Sequence, residues 1–172
     1  MIFLKHNYLI KYKNVVLRAL NEDDIEYLRT WRNDNNNSKF LRQIPYITKE
    51  SQKKWYENYL NNDNEICFAI EECEELNRVV GSLSLYDFEG DTAEFGKILI
   101  GDQCAHGKQI GYHATVAALN FAFETLKLKE VKLEVYENNI PAVKTYEKAG
   151  FTNRTFLRED DIGRAFSYSV KA

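Results

Sequence analysis

Proline and methionine are nearly absent: the chain has two prolines and one methionine among its 172 residues. No Pro-rich linker, Gly/Ser-rich tract, low-complexity segment or internal repeat divides it, so a single domain over 1–172 is expected. Cysteine is also scarce. Cys67, Cys73 and Cys104 make an odd count without C-x-x-C spacing. That argues against a disulfide framework or a zinc site and for a reducing, cytoplasmic setting. The three histidines, His6, His106 and His113, have no cysteine or carboxylate neighbours at ligand spacing, and no metal is expected. Long apolar runs are missing. Ile2-Phe3-Leu4 is cut at once by Lys5, too short for a signal peptide, and nothing approaches the length of a membrane span. Charge of one sign is lacking too. A formal net charge of −3 creates no field toward nucleic acid or an anionic membrane, and neither is expected as a partner.

What remains is a globular composition, 44% hydrophobic, 13% aromatic and 28% charged, ample for one core. Tyr8 to Leu20 reads as two extended runs meeting in a turn at Lys13-Asn14. Asn21 can cap a helix opened by Glu22, Asp23 and Asp24 and burying Ile25, Leu28 and Trp31. A second helix follows Thr48 and carries Trp55, Tyr59 and Leu60. Ile66, Phe68 and Ile70 then alternate with Cys67 and Ala69 as a strand would, and Val79–Tyr86 and Thr92–Ile100 read as two more strands. Gly96, inside the last, marks either a bulge or a close packing contact. Gly107 to Leu126 reads as a helix, Val131 to Val135 as a strand, Ile140 to Ala149 as a helix ending at Gly150, and the tail as two strands around Asp160–Gly163. The expected fold class is α+β, a mixed, mostly antiparallel sheet flanked by helices.

Two segments carry chemistry. In Glu94–Gly111 a strand enters a polar, glycine-bearing loop and then a helix. Unpaired N–H groups and the dipole at such a helix start form a cradle for phosphate, to which Lys108 could add a charge. The segment lacks the Gly-Lys-Ser/Thr ending of a nucleotide-triphosphate loop and the G-x-G-x-x-G of a dinucleotide fold. In Val135–Phe151, helical spacing puts Asn139, Ala142 and Tyr146 on one face, with Ala149 or Gly150.

The two segments together resemble the GNAT superfamily of acyl-CoA N-acyltransferases. Its later motif, N-x-x-A-x-x-x-Y-x-x-x-G-F, is matched in full by Asn139, Ala142, Tyr146, Gly150 and Phe151. Its loop motif, Q/R-x-x-G-x-G/A, is matched in part: Gly111 stands, His106 replaces Arg or Gln, and Gln109 replaces the first glycine. The L-R-A-L-N-E-D-D opening and W-R-N-D at Trp31–Asp34 are similar to the subgroup of ribosomal-protein N-terminal and amino-sugar acetyltransferases.

The resemblance implies a splayed strand pair and acetyl-CoA as co-substrate. Its pyrophosphate would lie over the N–H groups of His106, Gly107, Lys108, Gln109, Ile110, Gly111 and Tyr112. Its pantetheine would pair with Ile98, Leu99 and Ile100, and Asn139 and Ala142 would flank the cofactor. Tyr146 would protonate the departing thiolate, which suits a phenol protonated at neutral pH. Glu94 is the first candidate for the base that deprotonates the acceptor amine; a solvated strand residue is the other reading of it. The acceptor would be a small-molecule or peptide amine, and a homodimer is allowed. Arg29, Arg32, Lys39 and Arg42 make residues 29–42 locally basic, which as a wall of the acceptor site would favour an anionic acceptor such as a nucleotide-linked amino sugar. A non-catalytic acyl-CoA-binding module on the same fold is the alternative.

Overall fold

The computed structural model describes residues 4–41 and 44–172, so Ile2, Phe3 and Arg42 lie outside the described residues. Among these, no helix is long and apolar enough to cross a membrane.

Strands β1 (Leu9–Tyr12) and β2 (Val15–Ala19) form a hairpin, with Lys13 at a positive φ of 53° in the turn. Asn21 caps as expected. Its side chain accepts from the N–H groups of Asp23 and Asp24, and Asp24 accepts in return from Asn21 N–H at 2.9 Å. Helix α1 (Ile25–Asn33) follows, then α2 (Lys49–Leu60), which Thr48 caps through Ser51 N–H. Then come β3 (Glu65–Glu72), β4 (Arg78–Glu89), β5 (Thr92–Ile100), α3 (Ile110–Asn120, prolonged by a wider turn over Phe121–Thr125), β6 (Glu130–Tyr136), α4 (Ile140–Lys148), β7 (Thr152–Glu159) and β8 (Arg164–Lys171).

All eight strands join one sheet in the order β1-β2-β3-β4-β5-β6-β8-β7, antiparallel except for β5 beside β6. Alternation along β3 assigns the two faces. Phe68 and Ile70 enter the main core with Phe95, Phe121, Leu133 and Phe151, under α3. Cys67 and Ala69 enter a smaller core with Leu20, Leu28, Tyr56 and Tyr59, under α1 and α2. Burial on both faces explains why β3 reads as a nearly continuous apolar run.

The parallel pair splits. Only Thr92–Glu94 pair with Glu130–Lys132, and beyond Glu94 the strands diverge. The cause lies next to Gly96 rather than at it. Between the Ser84↔Gly96 and Ser82↔Leu99 pairs, β5 spends one residue more than β4, and Lys97 turns to a φ of 51°. The bulge is therefore at Lys97–Ile98. Gly96 serves a close approach, since a Cβ there would lie 2.9 Å from the Tyr86 hydroxyl. At the far end of β5, Gly101 admits Trp31 of α1, whose ring would be 2.1 Å from an added Cβ.

Candidate active site

The helix start is two to three residues later than the sequence pattern suggested. Gly107 to Gln109 belong to the loop, and α3 begins at Ile110. His113 N–H makes the first helical bond, to the Gln109 carbonyl at 2.9 Å, so the N–H groups of Ile110, Gly111 and Tyr112 have no intrahelical partner. Gln109 is the N-cap residue with φ 60° and ψ 25°, a left-handed conformation that glycine takes without cost. This accounts physically for the glycine that the family motif carries at this place. Here the Gln109 amide oxygen accepts from Lys148 of α4 at 3.1 Å.

A cavity of about 360 Å³ opens over this helix start, lined by Ile100, His106, Gly107, Gln109, Ile110, Gly111 and Tyr112 of the expected set. Lys108 is not in that lining. Its ammonium pairs with Glu75 in the β3–β4 turn, and its carbonyl accepts from Asn14. The cations present are instead Lys144 and Lys148 of α4, with Thr145 between them. Sequence reasoning missed both; the signal was their spacing of four on the helix that carries Tyr146.

A second cavity, about 310 Å³, fills the gap between the diverging strands. Phe95 to Leu99 of β5 line one side, Glu134 to Tyr136 of β6 the other, and Asn139 and Tyr146 stand at its end. Asn139 shares this cavity with Tyr146 from just before α4 rather than from within it. It is the N-cap of α4, and its side-chain oxygen accepts from Ala142 N–H at 3.4 Å. Ala142 packs against the main core and lines neither cavity. Tyr146 lies edge-on to Phe95 and Phe151, with ring centroids 6.0 Å away in each case. Burial, with Tyr86 adding to it, raises its phenol well above the ordinary value, so it stays a proton donor over a wide pH range.

A third cavity, about 370 Å³, lies toward α1 and α2, between Leu28, Arg32, Gln52, Trp55, Glu65, Cys67, Ser84 and their neighbours. It shares Leu41, Lys97, Ile98 and Leu99 with the second, so the two meet at the bulge. Of the basic stretch, Arg32 lines this cavity and Lys39 the second, while Arg29 pairs with Glu26. Glu94 is half-buried and lines none of the three. Burial, then Glu134 and Asp87, raise its pKa against the pull of Lys132. Among the described residues, no group of three or more His, Cys, Asp or Glu side chains could hold a metal ion.

An eight-stranded, mostly antiparallel sheet with helices on both faces is the fold of the GNAT N-acetyltransferases. The chain belongs to the GNAT acetyltransferase family, whose acetyltransferase (GNAT) domain matches residues 14–152. It is 31% identical over 151 residues to an uncharacterized protein of Methanocaldococcus jannaschii, covering 86% of this chain and 30% of that one. It thus spans less than a third of that relative's length. It is 25% identical over 148 residues to the spermidine N(1)-acetyltransferase of Vibrio cholerae, covering 85% of this chain and 83% of that protein. The crystal structure of spermidine N-acetyltransferase from Vibrio cholerae in complex with CoA and spermine has a TM-score of 0.82 at 22% identity, covering 92% of this chain and 95% of that one. This likeness is one of fold.

Proposed function

We propose that this chain, acting as a single domain, transfers an acetyl group from acetyl-CoA to a primary amine by direct attack on the thioester. The observation that carries the reading is the meeting of the second and third cavities at Lys97–Leu99, with the Tyr146 phenol at the end of one and an apolar, polar-rimmed chamber in the other. In this reading the pyrophosphate rests on the N–H groups of Ile110, Gly111 and Tyr112 beside Lys144 and Lys148. The pantetheine arm runs through the gap in the sheet, where β5 offers backbone groups that β6 leaves unpaired. The acetyl carbonyl then sits at the bulge. The amine adds to the carbonyl carbon, the C–S bond breaks, and Tyr146 gives the sulfur its proton.

The acceptor chamber favours an amine with a single ammonium, alone or on an otherwise anionic molecule, over a polyamine. Among its described lining residues Arg32 and Lys97 face one carboxylate, Glu65, and a polycation would meet more repulsion than attraction there. An amino-sugar nucleotide or a protein N-terminus meets that requirement. The free thiols Cys67, Cys73 and Cys104 suit a cytoplasmic setting. The test is thiol release from acetyl-CoA across a panel holding an amino-sugar nucleotide, a peptide N-terminus and spermidine. Release with either of the first two above spermidine supports the reading. Tight acetyl-CoA binding with no release for any amine would instead make the chain a non-catalytic binding module.

A further inference from the structure

Direct attack needs an unprotonated amine, while a primary aliphatic amine is an ammonium at neutral pH. A group that removes the proton must reach the acceptor side of the bulge. Glu65, at the start of β3, is the only carboxylate among the described residues lining that chamber. Its side chain is 9% exposed, and Oε1 accepts from the Lys97 ammonium at 2.9 Å. Lys97 is the left-handed residue of the bulge itself, 54% exposed, and lines both cavities. An ammonium thus already stands on a nearly buried carboxylate at the point where acceptor and thioester must meet.

We propose that Glu65 is a catalytic residue that binds the acceptor's ammonium in place of Lys97 and takes its proton. The inference rests on the acetyl-transfer reading above. Lys97 is well suited to withdraw, because its side chain is half in solvent. The ammonium passes one proton to a Glu65 oxygen, and the freed lone pair forms the C–N bond at the thioester carbonyl carbon. The C–S electrons leave with sulfur, which takes the Tyr146 proton. The nitrogen sheds its second proton as the amide forms, and this restores Tyr146 through solvent in the open cavity. Glu65 discharges to solvent, so one proton is released per turnover. The charged and titratable groups around Glu65 are Lys97 of β5, Tyr86 of β4, Tyr59 of α2, Cys67 of β3 and Lys5, whose ammonium donates to the Glu65 carbonyl; Arg32 of α1 lines the same chamber.

The experiment uses 2-phenylethylamine, a small primary amine with one apolar ring, and compares wild type, Glu65→Gln, Glu65→Asp and Glu94→Gln. In Glu65→Gln, kcat/KM should fall by about a hundredfold or more. Glu65→Asp, which keeps the carboxylate, should recover part of the rate. A fall of less than tenfold in Glu65→Gln overturns the proposal. So does a larger fall in Glu94→Gln than in Glu65→Gln. Calorimetric titration of the amine into the CoA-loaded protein separates this inference from the activity it rests on. If wild type transfers no acetyl group to this amine, the panel above decides the activity reading, and binding still decides whether Glu65 holds the ammonium. Weakening by tenfold or more in Glu65→Gln supports its role, and equal binding overturns it.

Discussion

Lys148 reaches across from α4 to the side-chain oxygen of Gln109, 3.1 Å away, and in doing so lies 4.1 Å above the Tyr112 ring. The contact ties α4, which carries Tyr146, to the cap of α3. It also places a cation where phosphate would rest. Lys148→Met should weaken acetyl-CoA binding by about tenfold or more, the cost of losing one hydrogen bond to a charged partner, roughly 1.5–3 kcal/mol. The loss should shrink as salt rises. Lys108→Met should lose far less, because Glu75 already holds that ammonium. Calorimetric titration of acetyl-CoA into both variants checks the pair; the opposite ranking would return the phosphate contact to Lys108.

Gln109→Gly removes a side chain from a left-handed cap. Such a conformation costs a non-glycine residue roughly 1–2 kcal/mol, and the extra freedom of an unfolded glycine offsets about half of it. Stability should rise by up to about 1 kcal/mol, with acetyl-CoA affinity equal or better. A lower melting temperature together with weaker binding would show that the Gln109–Lys148 bond outweighs the strain.

Tyr146→Phe deletes one oxygen and keeps both edge-on ring contacts with Phe95 and Phe151. Turnover should fall by about a hundredfold to ten-thousandfold, with acetyl-CoA affinity and melting temperature nearly unchanged. A purely structural tyrosine would give the reverse: lower thermal stability and full activity per folded molecule.

Two histidines set an acid limit on stability. Burial lowers the pKa of His6, with Lys5 adding to it and the Cys67 carbonyl opposing, and burial lowers that of His113, with Lys13 and Lys148 adding to it. The unfolded chain therefore binds more protons than the folded one once pH drops below the ordinary histidine value of about 6.5. Their contribution is complete above that value and is lost as pH falls through the folded values. Denaturant midpoints measured from pH 8 to pH 5 should decline below about pH 6.5. The decline should be shallower in His113→Gln, whose amide can still meet the Asn14 side chain that His113 Nδ1 contacts at 2.6 Å. An unchanged slope in that variant would remove His113 from the account.

Most of the fold was legible because its signals are local. The Asn21 cap, the Thr48 cap, the turn at Lys13-Asn14 and the glycine at 150, with φ 106°, each report on a few adjacent residues. The split of β5 from β6 was implied by the family likeness; of the two readings of Gly96 the close contact holds, and the bulge falls on Lys97 and Ile98. A glycine is visible in a sequence, whereas a lysine forced to positive φ is visible only once the β4 register is known. The cavity lining was legible where it follows the chain, from Ile98 to Tyr112, and illegible where it is assembled across it. Lys144 and Lys148 look like ordinary exposed helix charges until α4 is laid beside the loop. Glu65 looks like the polar start of a strand until the bulge in β5 brings Lys97 against it. Lys108 was misjudged for the same reason, since Glu75 is 33 residues away in the chain.

The divergence of β5 from β6 has a consequence for what the protein can admit. An unpaired strand at the rim of a sheet will accept any extended chain that drifts past, and proteins guard such rims with charge or curvature. Here the unpaired stretch lies in the middle of the sheet, walled by Phe40, Tyr136 and Arg158, and narrows to nothing at Thr92–Glu94. A polypeptide with side chains on alternate sides cannot enter a wedge that closes after a few residues. A slim, unbranched, amide-bearing arm can. In the proposed reading the wedge thus gives a passing strand only a short foothold, and its shape selects among partners before their chemistry is tested.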